Sequence, residues 1–152
     1  MQQVLAAKEK LEAMGLEVSV WSVTSYNELY REAEECDRHN RLYPFDTEKV
    51  PYLQNLFAKT KGVYIAASDY MKALPNSISP WMPKSFLILG TDGYGLSESR
   101  PDLREYFEIS ADYICHAALV GLFRIEKLSA AELKKKVKTL DIDPDKVNPM
   151  NR

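Results

Sequence analysis

Ser85-Phe86-Leu87-Ile88-Leu89-Gly90-Thr91-Asp92-Gly93-Tyr94-Gly95 is the stretch from which the fold is read. It predicts a short strand over Ser85 to Leu89, apolar from Phe86 onward, followed by a glycine-rich loop. Pro101, a few residues later, suits the opening of a helix. Strand, loop and helix in that order form the repeating unit of an α/β fold. Upstream, Glu17 to Val23 has the same character. Val18 and Val20 face one way and Trp21 and Val23 the other, which suits a strand covered on both sides in a parallel sheet. Val63 to Ala67 gives a third short apolar strand.

Helices are predicted between and around these strands. The first residues carry Val4, Leu11 and Met14 near one face, and Gly15 is placed to end that helix. Ser25-Tyr26-Asn27-Glu28 has capping-box spacing, with Tyr26, Leu29, Tyr30 and Ala33 following at helical intervals. Pro51 precedes a short helix with Leu53, Leu56 and Phe57. Asp69 to Leu74 suits a helical turn, and Pro75, Pro80 and Pro83 predict irregular chain after it. Asp112 to Lys127 suits a longer helix. Ser129 to Glu132 is a second capping box, opening a helix with Leu133, Val137 and Leu140 on its apolar side. The tail, with Pro144 and Pro149, is expected to be extended. Short strands alternating with helices predict a three-layer α/β/α domain with a mostly parallel sheet, although three strands are few for one.

The 152 residues suit a single domain. With 45% hydrophobic and 28% charged residues the chain has the balance of a globular protein. The net charge of -2 and the interleaving of signs argue against nucleic-acid binding. Lys134-Lys135-Lys136 is expected on a solvated helix face. Two cysteines, Cys36 and Cys115, make no disulfide framework and fit a reducing cytoplasm. Ile114 to Phe123 is too short, and too interrupted by His116, to span a bilayer. The N-terminal residues lack the pattern of a signal peptide.

Several residues invite a chemical role. The Gly90 to Gly95 loop lies where open α/β sheets bind ligands, but it lacks the spacing of a dinucleotide motif and the lysine of a nucleotide-binding loop. Asp92 also stands where an anion would sit, so a tight turn is the expected reading, with Asp92 holding backbone amides or pairing with Arg100. Cys36 with His39 and Cys115 with His116 are residue types that ligate zinc. Adjacent residues diverge on a helix, however, so Cys115 is expected in the core and His116 at a helix edge. Ser97 and Ser99 flank Glu98 without a nearby histidine, and capping the helix at Pro101 is the simpler role. Tyr26, Tyr30, Tyr43, Tyr52 and Trp81 suit either an interface or a core.

Five segments in order along the chain resemble one family. They are Trp21 to Leu29; Leu42-Tyr43-Pro44 with Val50-Pro51-Tyr52; Ser68 to Lys72; Gly90 to Gly95 with Ser97 and Ser99-Arg100; and Asp143 to Pro149. The sequence is similar to the transketolase-like C-terminal domain of the homodimeric bacterial pyruvate dehydrogenase decarboxylating component. The resemblance implies a parent enzyme that oxidatively decarboxylates pyruvate on thiamine diphosphate with magnesium. The parent then acetylates the lipoyl group of an acetyltransferase core, on the way from glycolysis to acetyl-CoA. It also implies that the cofactor lies between preceding domains at a dimer interface, and that this domain supplies no catalytic, cofactor-binding or metal-binding residue. The Gly-Asp-Gly and following Asn of a diphosphate–magnesium site are replaced here by Thr91-Asp92-Gly93, with the next asparagine at Asn148. Asp92, Gly93, Tyr94, Gly95, Ser97 and Arg100 carry over as marks of a structural loop only. The expected partners are the remaining domains of the parent, its dimer mate and the acetyltransferase core, with neither nucleic acid nor membrane. The alternative is an independent α/β protein that binds a small ligand at Gly90 to Gly95.

Family topology further implies a strand ahead of the first helix, seated between Glu17 to Val23 and Val63 to Ala67, and an antiparallel edge strand upstream of it. The expectation is therefore one domain over residues 1–152, truncated at its N-terminal side. Two strands would then stand roughly 10 Å apart with facing polar groups unpaired. The chain would be unstable alone, recruit a neighbour's strand, or close the gap by direct pairing.

Overall fold

The structure is a computed structural model and describes residues 1–93 and 95–151. Three of its helices start at the serine caps that the sequence provides, Ser25, Ser99 and Ser129. Helix α1 (Gln2–Ala13) runs to Met14, and Gly15 turns the chain away with φ +81°. Helix α2 (Tyr26–Leu42) begins at Ser25, whose hydroxyl accepts the Glu28 N–H at 3.2 Å. Only half of that box forms, because the Glu28 carboxylate turns to Arg31. Helix α3 (Tyr52–Phe57) follows Pro51. Helix α5 (Arg100–Tyr106) is capped by Ser99 and α6 (Ala111–Arg124) follows Ser110. Helix α7 (Ala130–Val137) opens on the complete Ser129–Glu132 box. The proline-rich stretch is more helical than predicted. Helix α4 (Ala73–Asn76) includes Pro75, and a 3-10 turn spans Ser79–Trp81, since prolines fit first turns. The tail likewise closes in a 3-10 turn at Pro149–Asn151 in place of a fully extended run.

Strands β1 (Tyr64–Ala67) and β2 (Phe86–Leu89) pair in parallel, Tyr64 opposite Phe86 and Ala67 opposite Leu89. Helices flank this sheet on two sides, giving the expected α/β layering. On one side Ala7 and Leu11 of α1 and Ile114, Cys115 and Leu119 of α6 form the main core. Ile65, Ala67 and Leu89 pack against it. On the other, Ala33, Leu53, Ile78 and Trp81 form a second cluster that Phe86 joins. Alternation along β1 and β2 thus feeds both layers. Leu119 is fully buried, and such a side chain contributes about 1.5–3 kcal/mol. Helix α6 approaches the sheet so closely that a Cβ at Gly121 would stand 2.5 Å from Val63 Cγ1.

Glu17 to Val23 is not a strand, contrary to expectation. A strand exists only through its ladder, and among the described residues this segment makes no backbone hydrogen bond. It lies against the domain by side chains alone. Val18 reaches the main core and Trp21 meets Phe57 edge-on at 6.4 Å, yet Trp21 is 61% exposed and Val23 43%. The ladder of β1 explains what it lacks. Tyr64 N–H bonds Ser85 O and Ser68 N–H bonds Leu89 O, so the alternate residues Ile65 and Ala67 direct their polar groups to the other edge. No described residue pairs there. Direct pairing of the two segments does not occur.

Candidate functional site

The loop after β2 is locked to the loop after β1. At Gly90 a Cβ would lie 2.7 Å from Tyr70 O, so only glycine permits this approach. The Thr91 N–H bonds Tyr70 O at 2.9 Å, and Asp92 Oδ1 accepts the Lys72 N–H at 2.9 Å. Asp92 Oδ2 faces the Lys72 ammonium at 3.6 Å. The partner of Asp92 is therefore Lys72, not Arg100. Arg104, one turn into α5, pairs instead with Asp69 at 3.7 Å. Gly93 takes φ +95°, and Tyr94 lies outside the described residues. Gly95 and Ser97 continue on the surface, and Ser97 lines a shallow groove with Leu96, Glu98, Asp102, Leu103 and Tyr106. Arg100 is the exposed first residue of α5.

The C-terminal segment closes on this loop. Pro149 O would be 3.5 Å from a Cβ at Gly93, and Met150 Cα 3.9 Å. Lys146 anchors the segment. Its Nζ donates to Glu105 O at 2.6 Å and Tyr106 O at 3.0 Å, the carbonyls at the end of α5. It also pairs with Glu108 at 3.8 Å and stands 4.7 Å above the Tyr113 ring. A cation at a helix C-terminus is favoured by the helix dipole. Neither Lys72 nor Lys146 has a local sequence signal, because each acts on residues far away in the chain.

The other candidate residues are dispersed. Cys115 is buried in the main core with its Sγ against Ala7 O at 3.5 Å. Burial pushes its thiol up to about 11, and Asp112 adds to this. Burial, and then Glu32, also raise the Cys36 thiol, whose Sγ lies 3.6 Å from Glu32 Oε1. Raised thiols are poor nucleophiles at neutral pH. His116 is pushed down by burial. His39 packs against Tyr43, with Nε2 4.0 Å from Asp46. No group of three potential metal ligands occurs among the described residues. The aromatic set divides. Trp81 is buried, with its Nε1–H donated to Asp37 at 2.9 Å and its ring edge-on to Tyr30, whereas Tyr43 and Tyr52 are more than half exposed. Lys136, from the triple-lysine run, is only half exposed and caps α1 through Met14 O at 2.5 Å.

Asp92 Oδ1 accepts the Lys72 N–H and Oδ2 faces the Lys72 ammonium, and no group of three potential metal ligands surrounds the carboxylate among the described residues. No helix is long and apolar enough to cross a membrane among the described residues.

A small parallel sheet between helical layers, with a locked loop after its second strand, is the architecture of an α/β domain. The family model of the transketolase-like TK C-terminal domain matches residues 1–110, and the chain belongs to that family. Over most of its length it is similar to pyruvate dehydrogenase E1 components. The similarity is 32% identity over 151 residues in Cupriavidus necator (99% of this chain, 17% of the relative). It is 37% over 145 residues in Escherichia coli K12 (95% and 16%) and 37% over 147 in Pseudomonas aeruginosa (96% and 17%). The chain spans about a sixth of the length of these curated relatives.

Proposed function

We propose that this chain serves as the non-catalytic C-terminal domain of the decarboxylating component of pyruvate dehydrogenase. One observation carries the reading: similarity to E1 components extends over 95–99% of the chain while covering a sixth of theirs. A domain of that kind works inside a larger enzyme. In this reading the parent decarboxylates pyruvate on thiamine diphosphate with magnesium and acetylates a lipoyl group on the acetyltransferase core, in the cytoplasm. The chain's own residues contribute shape rather than chemistry. Its partners are the remaining domains of the parent and the dimer mate. The unpaired edge of β1 and the unbonded segment 17–23 support completion of the sheet by a further strand of the parent, seated between them. The loop is not proposed as a small-ligand site, since Asp92 is engaged by Lys72 and Gly93 lies against Pro149.

The test is a transplant. This chain replaces the aligned part of the Escherichia coli E1 component, and thiamine-dependent pyruvate decarboxylation is measured. An active chimera is expected, together with no calorimetric binding of thiamine diphosphate and magnesium by the chain alone. Micromolar binding by the isolated chain, or a dimeric but inactive chimera, would overturn the reading.

A further inference from the structure

We propose that two copies of this chain associate as a two-fold pair, the Phe45 ring of each entering the cleft between α3 and the Ser79–Trp81 turn of the other. The inference needs only this chain and stands apart from the role proposed above. Phe45 is 99% exposed, so its ring touches almost nothing of its own fold. The turn that carries it is nevertheless fixed. Asp46 N–H donates to Tyr43 O at 3.1 Å across Pro44 and Phe45, and Tyr43 N–H donates to His39 O at the end of α2. Asn40 closes the base of the loop, its side-chain amide bonding the carbonyl and the N–H of Lys49, each at 2.8 Å. An apolar ring held out on a pinned turn loses little freedom on docking, as an anchor residue requires. Leu42 and Tyr43, each more than half exposed, extend its apolar surface.

The same chain carries a receptor for such a ring. Phe57, Pro80, Trp81, Met82 and Pro83 line an open cleft of about 220 Å³. Its walls are set from behind. Asp37 accepts the Trp81 Nε1–H at 2.9 Å, and Phe57 stands edge-on to Tyr64 at 4.7 Å. Charge then selects the occupant. Asp46 directly follows Phe45, and Glu48 lies two residues further, while Arg41 and Lys49 stand at the base of the loop. Around the cleft, Lys59 and Lys84 directly follow the lining residues Ala58 and Pro83, with Lys61 close by. All three lysines are exposed, and none has a carboxylate partner among the described residues. An acidic knob and a basic-rimmed apolar cleft complement each other between copies. Since each copy has both, a two-fold pair makes the contact twice and closes on itself. A docked Phe buries about 150–250 Å². Two such rings fall short of the roughly 1,200–2,000 Å² of a permanent interface, so the pair is a reversible one in the micromolar range.

Sedimentation velocity on the 152-residue chain over micromolar concentrations tests this. A reversible monomer–dimer equilibrium is expected. Phe45→Ser removes a ring that supports nothing in its own fold. It should melt like the wild type at low concentration and raise the dimer Kd by about tenfold or more. Lys59→Glu with Lys84→Glu, which reverses the rim, should also raise it. Association along the outer edge of β1 would be indifferent to Phe45→Ser, so the two modes separate. A wild type that stays monomeric throughout would overturn the proposal, as would association that persists in Phe45→Ser. A dimer lost in Phe45→Ser but untouched by the lysine reversal would overturn it too, since the ring would then be received elsewhere.

Discussion

The side-chain carbonyl of Gln3 accepts the Ala111 N–H at 2.9 Å, so the first turn of α1 caps a helix 108 residues away. Ser110 stands at the usual capping position but its hydroxyl caps nothing and is buried without a partner. Below this contact Lys10 pairs with Asp112 at 2.6 Å, and the Cys115 thiol meets Ala7 O. Helix α1 is thus fastened to α6 by polar contacts as well as by the core. Gln3→Ala should lower stability by about 1 kcal/mol, the usual cost of a lost N-cap. Gln3→Glu, which keeps the acceptor and places a negative charge at the helix start, should cost less. Urea unfolding curves of the two variants compare them directly.

Gly90→Ala should be among the most damaging single-methyl changes. Its Cβ would collide with a backbone carbonyl, Tyr70 O, which cannot rotate away. Overpacking of this kind costs about 1–3 kcal/mol. Gly62→Ala, where the added carbon meets nothing within 4 Å, is the control and should lie near wild type in melting temperature.

Asp92→Ala should strand the Lys72 N–H in a part-buried position, at a cost of about 1–2 kcal/mol. Asp92→Asn retains an acceptor for that amide and loses only the contact with the ammonium, so the loss should be smaller. Lys72 is partly exposed, and its ion pair adds little. A reversed order of the two variants in denaturant unfolding would contradict the assigned roles.

The Cys115 thiol gives an alkaline signature. Its value rises from 9.0 to about 11 in the folded chain because burial disfavours the thiolate. The folded state therefore holds the proton more tightly than the unfolded state. The stability involved is fully present below pH 9 and is lost as pH rises through 11. Its size is on the order of 2 kcal/mol. Cys115→Ala should be slightly less stable at pH 7 because of the small cavity, yet fall less steeply between pH 9 and 11. Melting temperatures measured across that interval should show the difference in slope.

What the sequence disclosed was mostly local. Ser25, Ser99 and Ser129 mark helix starts because a cap acts within three residues. The glycines that mark the loop after β2 are local too, and Gly93 takes the positive φ that a glycine allows. The strand expected at Glu17 to Val23 was misjudged for the opposite reason. Its composition is that of a strand, but pairing depends on another segment standing 4.7–4.9 Å away, which no periodicity records. The same holds at the candidate site. Of the two roles expected for Asp92, it takes the backbone one, but the amide it holds belongs to Lys72 in the distant loop after β1, and Arg100 is not its partner. Lys146 and Gln3 act over even longer separations and leave no pattern of their own.

The outer edge of β1 has a further meaning. Strands that face solvent along their edge are commonly guarded by lysine, proline or a bulge, which discourage other chains from adding to the ladder. Tyr64-Ile65-Ala66-Ala67 carries neither charge nor proline, and its ladder with β2 runs without interruption. That is the vocabulary of an interior strand. At high concentration such an edge invites stacking of chain upon chain, so aggregation of the isolated domain should begin there. The lack of gatekeepers fits the proposed working state, in which a further strand of the parent covers this edge.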